Sequence, residues 1–283
     1  MGRSSAMCTL IVPMLLSACS AVRHGMPMPP EVSAKGLVLK RALPEQMPEQ
    51  SAPVPGSQLV LVPSENAAGM LVPIPFVSEL AIGAYNQSQA SGLGKHYAAL
   101  DVFGIVQGTM ADSPLLRNGG SKISLYPIVY LAECSDGQYR LSLAGRIESG
   151  GWVGRYVAHL PTTYGDTELA AAAPSTITTM QRELQAAALT LRQLIESDAR
   201  GDFGKAQYRA DLGSLHLACA RVGGLVSADL MLARDAEVVE EDAGHVVVRI
   251  AGDLSQAGPS GGLMYGLHYL RKQQLHTFKK KPG

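Results

Sequence analysis

The chain has 283 residues, of which 46% are apolar and 17% charged, with 24 Lys and Arg balancing 24 Asp and Glu. This composition suits a globular core and excludes a disordered chain. A net charge of zero excludes the broad basic footprint of a nucleic-acid binder and a bulk pull toward anionic lipid.

The N-terminus carries the strongest signal. Arg3 supplies a short positive region, and Ala6 to Leu16 forms an apolar core of signal-peptide length, too short to span a bilayer as a helix. It runs into Leu16-Ser17-Ala18-Cys19. These four residues resemble the lipobox of bacterial lipoproteins, a likeness that covers only the targeting segment. The resemblance implies a signal peptide over 1–18, cleavage before Cys19, diacylglycerol on the Cys19 thiol and an acylated new amine. Ser20, where Asp would retain the protein, implies sorting to the outer membrane with the domain facing the periplasm. Inner-membrane retention and cell-surface display are the other addresses open to such a protein. The competing reading is an ordinary secretory signal cut after Ala18.

Of the four cysteines, Cys8 leaves with the signal and Cys19 takes the lipid. Cys134 and Cys219 remain as an even pair in an oxidising compartment, which predicts a disulfide. That bridge closes a loop of about 86 residues, worth about 4–5 kcal/mol on the loop-entropy account. Two buried thiols are the alternative.

Residues 19–57 read as lipid anchor and tether, because Pro27, Pro29, Pro30, Pro44, Pro48, Pro53 and Pro55 disfavour long helices and central strands. Within it, Val38–Lys40 suggests a short edge strand. The globular domain is expected over 58–283, with two β-meander halves, 58–165 and 205–283, joined by a helix over 175–200. Leu59 to Val62 reads as a buried strand ended by Pro63. Val77, Leu80, Ala81 and Ala84 place a helix over 77–87, broken by Gly92 and Gly94, and Asp101 to Met110 reads as a strand.

Tyr139, Leu141, Leu143 and Ile147 alternate with Gln138, Arg140, Ser142 and Arg146, the pattern of a half-buried antiparallel strand. Ser135-Asp136-Gly137 makes residues 123–134 its hairpin partner, and Trp152 to Leu160 adds a third strand. Tyr126, Tyr130 and Cys134 share one face of their strand, predicting either a second packed layer or a Tyr-bearing contact surface. Ile177, Met180, Leu184, Ala187, Leu191 and Leu194 define the long helix, with Ser175 as N-cap and Gly201 or Gly204 as stop.

Strands are expected at 212–222, 225–233, 237–240 and 245–254, in the last of which Val246, Val248 and Ile250 alternate with His245 and Arg249. Gly137 to Gly145 aligns on Gly244 to Gly252 with matching apolar phase, the mark of a duplicated meander or of two hairpins under the same rules. A second, shorter helix is expected over 262–278, with Leu263, Leu267 and Leu270 facing in. Lys279, Lys280 and Lys281 read as a solvated tail. The predicted class is therefore α+β: antiparallel sheet regions packed with one long amphipathic helix and a shorter C-terminal helix.

Chemistry-bearing motifs are sparse. Gly258-Pro-Ser260-Gly-Gly262 matches G-x-S-x-G, but no Asp or Glu follows Ser260 to complete a nucleophile-elbow triad. Gly92-Leu-Gly94-Lys95-His96 lacks the first P-loop glycine, since Gln89 stands there. The seven histidines show no metal spacing, and Glu240-Glu241-Asp242 reads as solvated turn charge. No catalytic residue, cofactor or metal is expected. The sequence thus predicts a non-catalytic outer-membrane lipoprotein that binds an envelope protein as an assembly, secretion-accessory or protective factor. A lipid- or small-ligand-binding lipoprotein and an envelope hydrolase using Ser260 are the alternatives.

Overall fold

A computed structural model describes residues 23–44, 47, 51–62, 75–117, 120–134, 138–216, 230–232, 235–253, 265–275 and 277–281. In chain order the elements are β1 (Arg23–His24), α1 (Pro30–Ser33), β2 (Gly36–Leu39), β3 (Ala52–Pro53), β4 (Leu59–Val62), α2 (Pro75–Tyr97), α3 (Val102–Met110) and α4 (Pro114–Arg117). Then come β5 (Lys122–Glu133), β6 (Gln138–Ser149), β7 (Trp152–Gly165), α5 (Asp166–Ala171), α6 (Pro174–Arg200), β8 (Tyr208–Asp211), β9 (Ser214–His216) and β10 (Leu230–Leu232). The chain closes with β11 (Ala236–Glu241), β12 (His245–Ile250), β13 (Gly252–Asp253), β14 (Gly266–Arg271) and β15 (Lys279–Lys280). Helices and strands mix around one large, mostly antiparallel sheet of 13 strands, with six helices among the described residues. No described helix is long and apolar enough to cross a membrane.

The sheet runs β15-β8-β11-β12-β14-β7-β6-β5-β4-β3. Two antiparallel meanders, β5–β6–β7 and β11–β12–β14, meet at a parallel seam where Tyr156, Val157 and Ala158 pair with Leu267, His268 and Tyr269. β6 and β7 turn through Gly150 and Gly151 at φ 55° and 89°. Positive φ at both central residues is what a two-residue hairpin with the right twist demands, and glycine adopts it without steric cost.

Helices pack on one face of this sheet. Met180, Leu184, Ala187, Ala188, Leu191, Leu194 and Ile195 of α6 are buried. They join Leu125, Val129 and Leu131 of β5, Leu141, Leu143 and Ile147 of β6, and Val102, Val106 and Met110 of α3 in one cluster. The other face is also buried, with Ile128, Tyr130, Ala132, Ala144, Val157, Val246, Val248 and Leu270 in a second cluster. The face bearing Tyr130 is thus packed, and the expected solvated polar face of β6 does not exist: Ser142 is 0% and Arg146 5% exposed.

Several sequence expectations are corrected. Two long helices are present, since α2 runs on through Gly92 and Gly94 to Tyr97. A Cβ at Gly94 would lie 3.1 Å from Pro55, so this glycine admits the chain against the helix instead of breaking it. Residues 102–110 form a helix, because the Asp101 carboxylate accepts from Gly104 N–H (3.1 Å) as N-cap and Val102, Val106 and Met110 fall on one buried face. α6 begins at Pro174 with Ala173 as N-cap, not at Ser175, while Gly201 (φ 82°) does end it. No C-terminal helix spans 262–278: residues 266–271 form a strand between β12 and β7, followed by a single turn at Lys272–Gln274. The lysine tail is also structured. Lys279–Lys280 pairs with β8, Lys280 binds Glu241 (2.8 Å), and Lys281 binds Asp235 (3.0 Å).

The largest correction concerns the tether. Met28, Val32, Leu37, Ala52 and Val54 are buried in the helix-side cluster, and β1, β2 and β3 are strands of the sheet. The prolines are tolerated because these pieces are short and lie mostly at edges, where a missing N–H costs little. The folded domain therefore includes 23–44 and 51–57, well before Gln58.

Candidate functional site

Two buried polar links cross the middle of the sheet, one on each face. On the helix side, Asp198 from the last turn of α6 meets Arg249 of β12 at 2.6 Å, with side chains 1% and 3% exposed. The Asp198 carboxylate also accepts from the Tyr156 hydroxyl (2.8 Å) and from Met28 N–H (3.1 Å). Arg249 donates further to the carbonyls of Gly25 (3.0 Å) and Phe203 (3.3 Å). Burial, reinforced by the Asp198 charge and hydrogen bond, pushes the Tyr156 phenol well above its ordinary pKa, so it remains a donor. One ion pair thereby ties helix, sheet and N-terminal segment together.

On the other face, Ser142 Oγ lies 2.8 Å from His159 Nδ1, and His159 Nε2 lies 3.1 Å from His268 Nδ1. β6, β7 and β14 are consecutive in the sheet, so alternation places the three side chains in a row. Burial, then the fields of His268, Arg140 and Arg271, holds His159 well below the usual histidine pKa. A neutral His159 carries one N–H, which fixes the sense of the chain: either Ser142 donates to His159 and His159 to His268, or both bonds run the other way. The row is a serine–histidine–histidine relay in form. Ser142 and His268 are 0% exposed and His159 3%, so the hydroxyl is sealed from any substrate in this conformation.

Charges beside the row are paired within the fold. Arg146 and Arg155 face one another across β6 and β7. Arg146 binds Glu148, and Arg155 donates to the Tyr265 carbonyl (3.3 Å). Burial lowers Arg155 to about 10, with Tyr130 opposing that shift and Arg146 adding to it.

Among the described residues, clefts open on the helix side. One of about 280 Å³ lies between α6 and the β7–β14 seam, lined by Glu183, Thr190, Tyr269 and Arg271. Another of about 260 Å³ is enclosed by Leu61, Leu93, Leu169, Tyr139, Asp166 and His96. Both fall below the roughly 300–1,000 Å³ of drug-sized ligand pockets. Among the described residues no group of three His, Cys, Asp or Glu could hold a metal ion. The Glu240–Asp242 cluster is engaged internally. Glu241 binds Lys272 and Lys280, which with the Tyr208 hydroxyl hold its carboxyl at about 2, and Asp242 accepts from Gly244 and His245 N–H.

Cys19, Cys219 and Ser260 lie outside the described residues. Cys134, just beyond β5, is 6% exposed, and its N–H bonds the Gln138 carbonyl. Gly92-Leu-Gly94-Lys95-His96 is helix, not a phosphate loop. Neither polar link was legible as a site. The available signal was Trp152 to Leu160, where both alternating phases contain apolar residues, so Arg155 and His159 between them had to be buried and bonded. No protein-family model matches the chain, and neither a curated protein nor a solved structure matches it significantly.

Proposed function

We propose that this chain is an outer-membrane lipoprotein, acylated on Cys19 and facing the periplasm, that binds an envelope protein as an assembly, secretion-accessory or protective factor. The observation that carries the reading is Leu16-Ser17-Ala18-Cys19 directly behind an apolar core of signal length. A structural role for the Ser142–His159–His268 row, whose hydroxyl is sealed, agrees with function by binding. Exposed Tyr85 on α2 (57%) and Leu189 on α6 (56%) are apolar side chains of the kind that partner surfaces use. The Cys134–Cys219 disulfide belongs to the same proposal, since both residues would face an oxidising space. Labelled palmitate should enter the wild-type protein, which should fractionate with outer-membrane density. Cys19→Ser should remain unlabelled and unprocessed. Label entering that variant refutes the anchor.

A further inference from the structure

The N-terminal strand is held on both sides. Arg23 and His24 pair with Trp152 and Val153 of β7 and with Asp253 and Gly252 of β13. Immediately after, Gly25 N–H donates to the Val153 carbonyl, Gly25 O accepts from Arg249, and Met28 N–H donates to Asp198. A strand clamped in this way cannot swing away from the domain.

Cys19 stands four residues before Arg23. A fully extended chain gains at most about 3.6 Å per residue, so the two Cα atoms lie within about 14 Å whatever path residues 20–22 take. The headgroup layer on one side of a bilayer is itself about 5–8 Å thick. From this geometry we infer that the domain sits directly on the phospholipid headgroups, with the end of the sheet at which β1 begins facing the bilayer. This rests on the reading of Cys19 as the lipid anchor.

Strand directions identify that end. β7 starts there at Trp152, β6 ends there at Ser149, β5 starts there at Lys122, and β2 starts there at Gly36. α6 ends there too, because Asp198 reaches both Tyr156 and Met28. Lys35 and Lys122 at this pole make no ion pair with a described residue, and suit phosphodiester headgroups. Acidic Glu31, Asp211 and Asp253 are also there, with Glu148 and Asp202 neutralised by Arg146 and Arg200. Met26 is 38% exposed, and its carbonyl accepts from the Trp152 indole (3.2 Å), which places the only tryptophan of the chain at the membrane-facing end. Ser175, near the start of α6, stands about 35 Å higher at 1.5 Å per helical residue. A partner must therefore come to the membrane, since no long tether carries the domain to it.

The test uses the full lipidated protein in phosphatidylethanolamine–phosphatidylglycerol vesicles containing headgroup-nitroxide lipid, reading tryptophan fluorescence. Trp152 should lose emission, whereas Ser175→Trp in a Trp152→Phe background should not. A second variant leaves the core untouched: a Gly/Ser spacer inserted after Ser20, about 20 residues long and so reaching about 25 Å, should relieve Trp152 quenching. Unquenched Trp152 in acylated, vesicle-bound protein overturns the orientation alone, as does quenching that the spacer leaves unchanged. An N-terminal peptide without acyl mass removes the anchor and this inference together.

Discussion

Replacing Asp198 by Ala would leave the Arg249 guanidinium, 3% exposed, without its counter-ion. The same change removes the acceptor for the Tyr156 hydroxyl and for Met28 N–H. Breaking a buried ion pair from one side costs about 3–5 kcal/mol, chiefly because the surviving charge stays desolvated. Against a total stability of about 5–15 kcal/mol, that is about a fifth of the whole or more. With a urea m-value of about 2 kcal/mol/M, the unfolding midpoint should fall by about 1.5–2.5 M. Because Met28 hangs on the same carboxylate, limited proteolysis should cut the N-terminal segment of Asp198→Ala before the core unfolds. Asp198→Leu with Arg249→Met replaces both charges by apolar groups and should recover most of the loss. A shift under about 1 kcal/mol for Asp198→Ala, or a double variant no better than the single one, refutes the assignment of this pair as the clamp.

The remaining expectations test other parts of the fold. His159 is neutral when folded and has a depressed pKa, so below about pH 6.5 the unfolded chain binds a proton that the folded chain does not. Stability should therefore fall with pH by at most about 1.4 kcal/mol per unit in that window. His159→Gln should flatten the slope between pH 7 and 5.5, and an identical slope in wild type and variant counts against it. Deleting residues 27–55 removes Met28, Val32, Leu37, Ala52 and Val54 from the core and should unfold the domain; an unchanged melting temperature would restore the tether. Mass spectrometry without reduction should find Cys134 linked to Cys219 in periplasmic material, and two freely alkylated thiols would refute the bridge.

What the sequence made legible was whatever obeys a single period. β6 and β12 appear where apolar alternation placed them, β5 where the hairpin with β6 requires it, and the stripe from Met180 to Leu194 does face the sheet. Other elements escaped. β14 packs Leu267 toward the helices and His268 with Leu270 the other way, so its period of two vanishes, and the spacing of Leu263, Leu267 and Leu270 mimics a helix. α3 carries Val102, Ile105 and Val106, residues that favour strands, and capping by Asp101 with packing on α6 overrides that preference. The proline-rich segment failed for a different reason. Its strands are two to four residues long, too short for any periodicity, and only the presence of β4, β5, β7 and β13 gives them partners. The polar links were hidden because Ser142 and Arg249 alternate with apolar residues just as solvated side chains do.

Those two residues occupy matching places in the repeated stretches, Gly137 to Gly145 and Gly244 to Gly252. Leu131 pairs with Leu141, and Val238 with Val248, at the same spacing of 107 positions that separates Ser142 from Arg249. The sheet order runs outward from the seam in both directions, β7-β6-β5 and β14-β12-β11, as a two-fold axis along the strands would arrange two copies. An axis lying in the sheet exchanges its faces. Leu141 accordingly faces the helices while Val248 faces away, and Arg249 faces the helices while Ser142 faces away. The match stops at the seam, where Tyr156 pairs with Leu267, 111 positions on. The parallel seam spans only three residue pairs, little ladder to join two halves. His159 to His268, Arg155 to the Tyr265 carbonyl and Arg271 to the His159 carbonyl all cross it, and Arg249 joins the second half to the helix that covers the first. Stitching of this kind needs buried polar groups that bond one another across the seam, and Ser142, His159 and His268 stand in line to supply them.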